Sequence, residues 1–342
     1  MTEKRRIVSI DVARGIAMIA IILGHLGNRR INSIVTTFHV PVFFFISGLF
    51  FDTEINPVDF IKKKTKSLLL PYFLTSILLW AFSIPLGILQ GLDWKKEAIK
   101  WIIASLYGAG FDIEGFTVAP SIGAIWFLLA LFWSELLFFF ISRLPNGFRL
   151  CSVLCIFTLS VWSAKYIWLP LSIQAGGSGL LFLYAGYLTG DAREQIVRLI
   201  TNKKELATAC FVFLVLIWMY CIQKNEGIYL SQARFENGIL DILGCMTGIA
   251  VVLYLSTHIE TNTKGVAKVL AFVGCNSLYV LGVHLLENNL IPWLDLFTLA
   301  SRRFGLPENG FVAFVLLGKM LVISPLVWGL TKIVNWIKTK EH

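Results

Sequence analysis

The chain has 342 residues, of which 56% are hydrophobic and only 15% charged, with 27 Phe and 11 Trp. A soluble protein carries nearer a quarter charged residues, so this composition excludes one, and recurring apolar runs of about 20 residues point to a polytopic membrane protein. The net charge of +9 does not indicate nucleic acid: no RNA or DNA motif accompanies it, and in a membrane protein the placing of Lys and Arg sets topology instead.

The basic N-terminal residues followed by an apolar run superficially resemble a signal peptide. The run contains Asp11 and Arg14, however, and no small-x-small cleavage site follows, so an uncleaved first helix is expected. Hydropathy then predicts an all-α chain of ten spans, near 8–27, 31–51, 67–91, 121–142, 149–168, 171–190, 205–223, 238–257, 267–286 and 310–336. Most cations fall on the side of the N-terminus: Lys4, Arg5 and Arg6, then Lys62, Lys63, Lys64 and Lys66, then Arg143 and Arg149. Arg193, Arg198, Lys203, Lys204, Lys264, Lys268, Lys332, Lys338 and Lys340 continue the pattern. Both termini are therefore expected in the cytoplasm, with Arg29 and Arg30 against the trend.

The longest outside segment, 92–120, holds a surface helix and then a Gly-rich stretch. It reads as a lid or acceptor rim, or as an interfacial helix anchored by Trp94 and Trp101. Segment 287–309 reads as a second outside loop. No long soluble segment occurs, so residues 1–342 form one transmembrane domain and chemistry must use the spans themselves. No internal repeat is visible, which disfavours inverted-repeat transporters. The six Cys show no CxxC spacing and read as small buried hydrophobes.

Arg14 and His25 are eleven residues apart, three turns of a helix and nearly one azimuth, and Asp11 falls on the same stripe. A charge in hydrocarbon costs about 2.5–3.5 kcal/mol, so this stripe is expected to face a cavity or a protein interior. His39 and His284 lie at a depth comparable to His25, in the outer half of the membrane, whereas His258 reads as an inside loop and His342 is the last residue. Three imidazoles there offer a general base for a hydroxyl nucleophile, or are separate hydrogen-bonded core residues. A zinc site lacks acidic partners at useful spacing, so no metal is expected.

Pro41 is expected to kink the second span, and Ser47-Gly48 to give a small face opposite the first. Lys62 to Lys66 serve either topology or the docking of a polyanion such as the phosphates of coenzyme A. Trp126-Phe127-Leu128 opens the fourth span, where Glu135 needs a partner, for which Lys319 and Arg14 are candidates. Asn276 and Ser277 need interhelical partners, and Asn276 is equally suited to orient a thioester carbonyl.

Arg14 and His25 with ten residues between them, FFFISG at 43–48, WFL at 126–128 and GCNSLYVLGVH at 274–284, in this order, resemble the membrane acyltransferase-3 family of bacterial O-acyltransferases. The HVPVFFFISG form is similar to the branch of fucose and polysaccharide O-acetylases. The resemblance implies a multi-pass inner-membrane enzyme that transfers an acyl group, most often acetyl, from cytoplasmic acyl-CoA to a hydroxyl of a surface or exported glycan. Its acceptor would be a glycan or lipid-linked sugar. The family's Arg and His map onto Arg14 and His25, with Asp11 orienting Arg14. Its basic pair before the third span maps onto Lys64 and Ser67, with Lys66 as a neighbouring cation. The esterase-like domain that some members carry after the membrane part is not expected here, so the membrane domain itself would complete transfer to the acceptor. His39, Ser47, Lys64, Lys66, Trp126, Asn276, Ser277 and His284 are then the expected substrate-binding set. A proton-coupled transporter or flippase for a glycan precursor is the competing expectation, since intramembrane Arg, His and Glu also build proton relays.

Overall fold

Inside a bilayer every backbone N–H and C=O must be satisfied within its own segment, so an apolar chain of this kind is built from helices. The computed structural model describes residues 7–89, 91–114, 118–192, 203–225, 227–305, 307 and 310–340; Lys4, Arg5, Arg6, Arg193, Arg198, His342 and the side chains of Lys204 and Lys338 lie outside the described residues. The chain forms α1 (Val8–Gly24), α2 (Arg29–Val35), α3 (Pro41–Leu49) and α4 (Pro57–Lys64), which continues through a π-turn (Thr65–Leu69) into α5 (Leu70–Leu89). Helices α6 (Trp94–Tyr107), α7 (Trp126–Ile141), α8 (Asn146–Ser163), α9 (Ile173–Asp191) and α10 (Lys204–Lys224) follow. A short antiparallel hairpin, β1 (Ile228–Tyr229) and β2 (Arg234–Phe235), pairs Ile228 with Phe235 and Tyr229 with Arg234. The chain then runs through α11 (Ile239–Asn262), α12 (Lys264–Cys275), α13 (Ser277–Leu290), α14 (Trp293–Phe304) and α15 (Phe311–Lys340).

Among the described residues five helices are long and apolar enough to cross a membrane, and six if the bent pair α12–α13 counts as one span. The protein is thus an all-α, multi-pass membrane protein. Several expected spans are broken rather than straight. The second is two short helices: Pro41 opens α3 because it lacks an N–H and its ring excludes the carbonyl four residues earlier. The π-turn ahead of Pro71 has the same cause one span later. Helices α12 and α13 bend by 73° at Asn276. There the Asn276 amide donates to Phe272 O and its Oδ1 accepts from Thr331, drawing local backbone out of the helical ladder.

Segment 287–309 is no simple loop, since it completes α13 and forms the amphipathic α14. His258 lies within α11 rather than in a loop.

Helix α1 packs on α11 and α12, and α3 on α9. Both seams are backbone-to-backbone. A Cβ at Gly15 would collide with Leu270 O, and one at Gly274 with Asp11 O. Likewise Gly48 lies against Leu183 O and Gly186 against Phe45 O. Gly48 therefore serves the approach of α9, correcting the expectation of a small face set against α1. Only Ser47 of that pair turns to a cavity.

After α6, residues 108–114 and 118–125 fold inward, with Ala109, Ala119, Ile122 and Ile125 buried. Leu171 and Ser172 adopt left-handed backbone, which costs of order 1–3 kcal/mol each. The Ser172 hydroxyl donates to Gly108 O, tying this corner to the start of the inward segment. Trp101 is buried while Trp94 is exposed, so only Trp94 has the exposure of an interfacial anchor.

Candidate active site

Two cavities meet at the middle of the molecule, sharing Phe127 and Leu281 as their common wall. Phe127 is held there by Phe43 and Phe44, at ring-centroid distances of 5.4 and 5.6 Å. The first cavity, about 210 Å³, is lined by His25, His39, Asn32, Thr36, Trp126 and the β1 hairpin. The second, about 250 Å³, is lined by Arg14, Ser47, Lys64, Glu135, Ser67 and Ser277. The Arg14–His25 stripe of α1 thus faces both, one group in each.

His25 caps α1. The last carbonyls of a helix lack intrahelical donors, and the ring takes one of them: His25 Nδ1–H donates to Ile21 O at 2.8 Å. His39 repeats the device on Val35 O at 2.6 Å. A carbonyl only accepts, so each Nδ1 carries the proton and each Nε2 keeps its lone pair. Behind His25 lies His284, 1% exposed, whose Nε2 is 3.3 Å from His25 Nδ1. His284 Nδ1–H donates to Glu287 Oε1 at 2.7 Å. Lys319 Nζ donates to both Glu287 oxygens, at 2.8 and 3.2 Å, and to Asn288 Oδ1 at 2.9 Å. Trp293 Nε1–H completes the shell on Glu287 Oε2 at 2.6 Å. Donor faces acceptor at every link of the line Lys319–Glu287–His284–His25, and its open end is His25 Nε2.

In the second cavity, Lys64 Nζ donates to Glu135 Oε1 at 2.6 Å, and Ser47 donates to the same oxygen. Glu135 thus pairs with Lys64 across α4 and α7, and neither expected partner, Lys319 nor Arg14, contacts it. Arg14 is loosely paired with Asp11 at 4.0 Å, its side chain 38% exposed. Helical rise places Arg14 about 16 Å from His25 along α1, too far for both to touch one reacting atom.

The structure thus brings His25, His39 and Trp126 to one cavity and Arg14, Ser47, Lys64 and Ser277 to the other, with Asp11 beside Arg14 and His284 behind His25. It does not bring Lys66 or Asn276 to either. Lys66 is exposed, and Asn276 is taken up by Thr331 of α15 at 3.0 Å. Sequence reasoning missed Glu287 and the hairpin, and it set Lys319 against Glu135 where the structure pairs it with Glu287. The pattern His284-x-x-Glu287, one helical turn apart, was the available signal. Among the described residues no group of three or more His, Cys, Asp or Glu is arranged to hold a metal ion.

A family model described as an acyltransferase domain matches residues 7–328. No curated protein and no solved structure matches the chain.

Proposed function

The chain belongs to the membrane acyltransferase-3 family and is an O-acyltransferase, and from this premise we propose that it carries an acyl group, most simply acetyl, from cytoplasmic acyl-CoA to a hydroxyl of a surface glycan. The acceptor is a glycan or lipid-linked sugar of the kind met by polysaccharide O-acetylases, and the site of action is a bacterial inner membrane. In this reading both termini are cytoplasmic and 92–120 forms part of the acceptor rim, since Gly110, from its inward-folded end, lines the His25 cavity.

One observation carries the reading: His25 presents an unshared Nε2 to a cavity while its Nδ1–H is held by Ile21 O and His284. Donor phosphates would lie by Arg14 and Lys64 in the second cavity. The 16 Å from Arg14 to His25 suits a donor that is extended, charged at one end and reactive at the other. It also removes Arg14 from direct contact with the thioester.

The acceptor hydroxyl then attacks the thioester carbonyl carbon while His25 Nε2 takes its proton. The tetrahedral intermediate collapses, the C–S bond breaks, and the leaving thiolate takes the proton from His25. Charge that appears on the imidazole is met through His284 by Glu287, the base–orienter arrangement of nucleophilic enzymes.

The test is transfer of label from acetyl-CoA to surface polysaccharide, read by mass spectrometry, in cells making the wild-type protein or His25→Ala. General-base catalysis contributes about 10²–10⁴-fold, so transfer should fall by that factor with protein abundance unchanged. Undiminished acetylation would remove His25 from the chemistry, and label left wholly on the donor in wild-type cells would favour a flippase.

A further inference from the structure

Beside the His25 cavity lies a third, about 310 Å³, which shares with it Asn32, Thr36, Ile228 and Tyr229. Among the described residues Ile228 is the one aliphatic side chain in its wall, and none of the described residues lining either cavity is a carboxylate. Arg29 does line it, and has no ion-pair partner among the described residues. Two amide oxygens just behind the wall, Asn32 Oδ1 and Asn225 Oδ1, are buried without a hydrogen-bond partner among the described residues, and a small turn of either side chain is needed to bring its oxygen into the chamber. The nitrogen of Asn225 is already committed, donating to Ser33 O at 2.8 Å and Thr36 Oγ1 at 3.1 Å. Those bonds clamp the segment before the hairpin onto α2, so the wall is built from two fixed elements.

An orphaned buried acceptor calls for a donor, and the groups that donate most readily to an amide oxygen without bringing charge are hydroxyls. Tyr229 in the chamber, and Trp126 in the adjoining His25 cavity, add aromatic faces of the kind on which the C–H face of a sugar ring rests. The unpaired guanidinium calls for an anion. We propose that this chamber is the acceptor subsite and that the acceptor is an acidic sugar, its carboxylate or phosphate on Arg29, its ring hydroxyls on Asn32 and Asn225, and its target hydroxyl turned to His25. The assignment rests on the acyl-transfer reading above and names the substrate class of that site.

The test uses the full-length protein in native membranes and three probes: glucuronate, glucose 1-phosphate and glucose. Binding is read as protection of Ser33→Cys from a membrane-impermeant maleimide, scored on that peptide by mass spectrometry. Turnover is read separately, as label moved from acyl-CoA to the sugar. At least one acidic sugar should protect at about tenfold lower concentration than glucose, the factor expected of a charge-assisted contact. The ranking of glucuronate and glucose 1-phosphate tells carboxylate from phosphate.

Arg29→Gln, a change at an exposed position, should abolish this preference, Arg29→Lys should keep most of it, and Asn225→Leu should weaken all three sugars alike. The KM for acyl-CoA should stay constant throughout. Equal protection by all three sugars, protection by none, or an undiminished preference in Arg29→Gln would overturn the acidic-sugar subsite. Protection with the expected preference but no label on any sugar would leave the subsite standing and count against acyl transfer.

Discussion

Two lysine–glutamate pairs flank the central wall of Phe127 and Leu281, and they are built in opposite ways. Beside His25, Lys319 and Glu287 have side chains only 1% and 2% exposed, and every polar atom around them has a partner, from His284, Trp293 and Asn288. Beside Arg14, Lys64 is 20% exposed into an open cavity, and its partner Glu135 leaves Oε2 without a hydrogen bond among the described residues. The closed pair is committed to holding an imidazole in one orientation. The open pair is half-satisfied and its lysine borders the cavity, so a ligand anion can share the ammonium with Glu135. One is part of the scaffold; in the proposed reaction the other is the docking point for the donor.

Breaking the closed pair should have the largest effect. Glu287→Ala strands a buried ammonium, and loss of one partner of such a pair costs about 3–5 kcal/mol, readable as a drop in thermal stability of the solubilised protein. The double change Glu287→Leu with Lys319→Met should restore most of that stability, because apolar replacement of a whole buried pair is often neutral. Transfer should stay lost in the double variant, since His284 has no carboxylate to orient it; recovery of transfer would reduce the pair to a packing role.

Glu287→Gln separates the two roles more gently. It should slow transfer by about a hundredfold with the KM for acyl-CoA unchanged.

The open pair should respond the other way. Lys64→Gln should raise the KM for acyl-CoA by about tenfold, a lost charge-assisted contact, and should also lower stability, because it leaves the buried Glu135 carboxylate without its cation. Glu135→Gln, which frees Lys64, should lower that KM severalfold; a rise would mean that Glu135 itself touches the donor. The smallest effect is expected at Asn276→Ala, which removes the bond from Thr331. Interhelical bonds of this kind are worth about 0.6 kcal/mol, so transfer should be unaffected. A fall in kcat there would return Asn276 to the site.

Much of the site was legible along α1, because Asp11, Arg14 and His25 are related by a helical period and a helix preserves period as direction. His39 followed from depth alone. Lys64 with Glu135, 71 residues apart, and Glu287 with Lys319, 32 apart, were not legible as pairs. Sequence distance carries no information about which helices adjoin, and Lys319, with Arg14, reads as a candidate partner of Glu135 rather than of Glu287. Glu287 was read as loop because hydropathy ends a span at the first polar cluster, here Glu287, Asn288 and Asn289, although α13 continues to Leu290.

Composition and periodicity by themselves determined that this protein is helical, lives in a membrane and carries a polar stripe on its first span, since those properties follow from transfer energies and from 3.6 residues per turn. Only the tertiary structure decided that the stripe is shared between two cavities, that His284 and Glu287 stand behind His25, and that a hairpin and α2 close a polar chamber beside it. Those facts depend on which backbones approach, at Gly15 with Gly274 and at Gly48 with Gly186, and a one-dimensional pattern does not contain the partner.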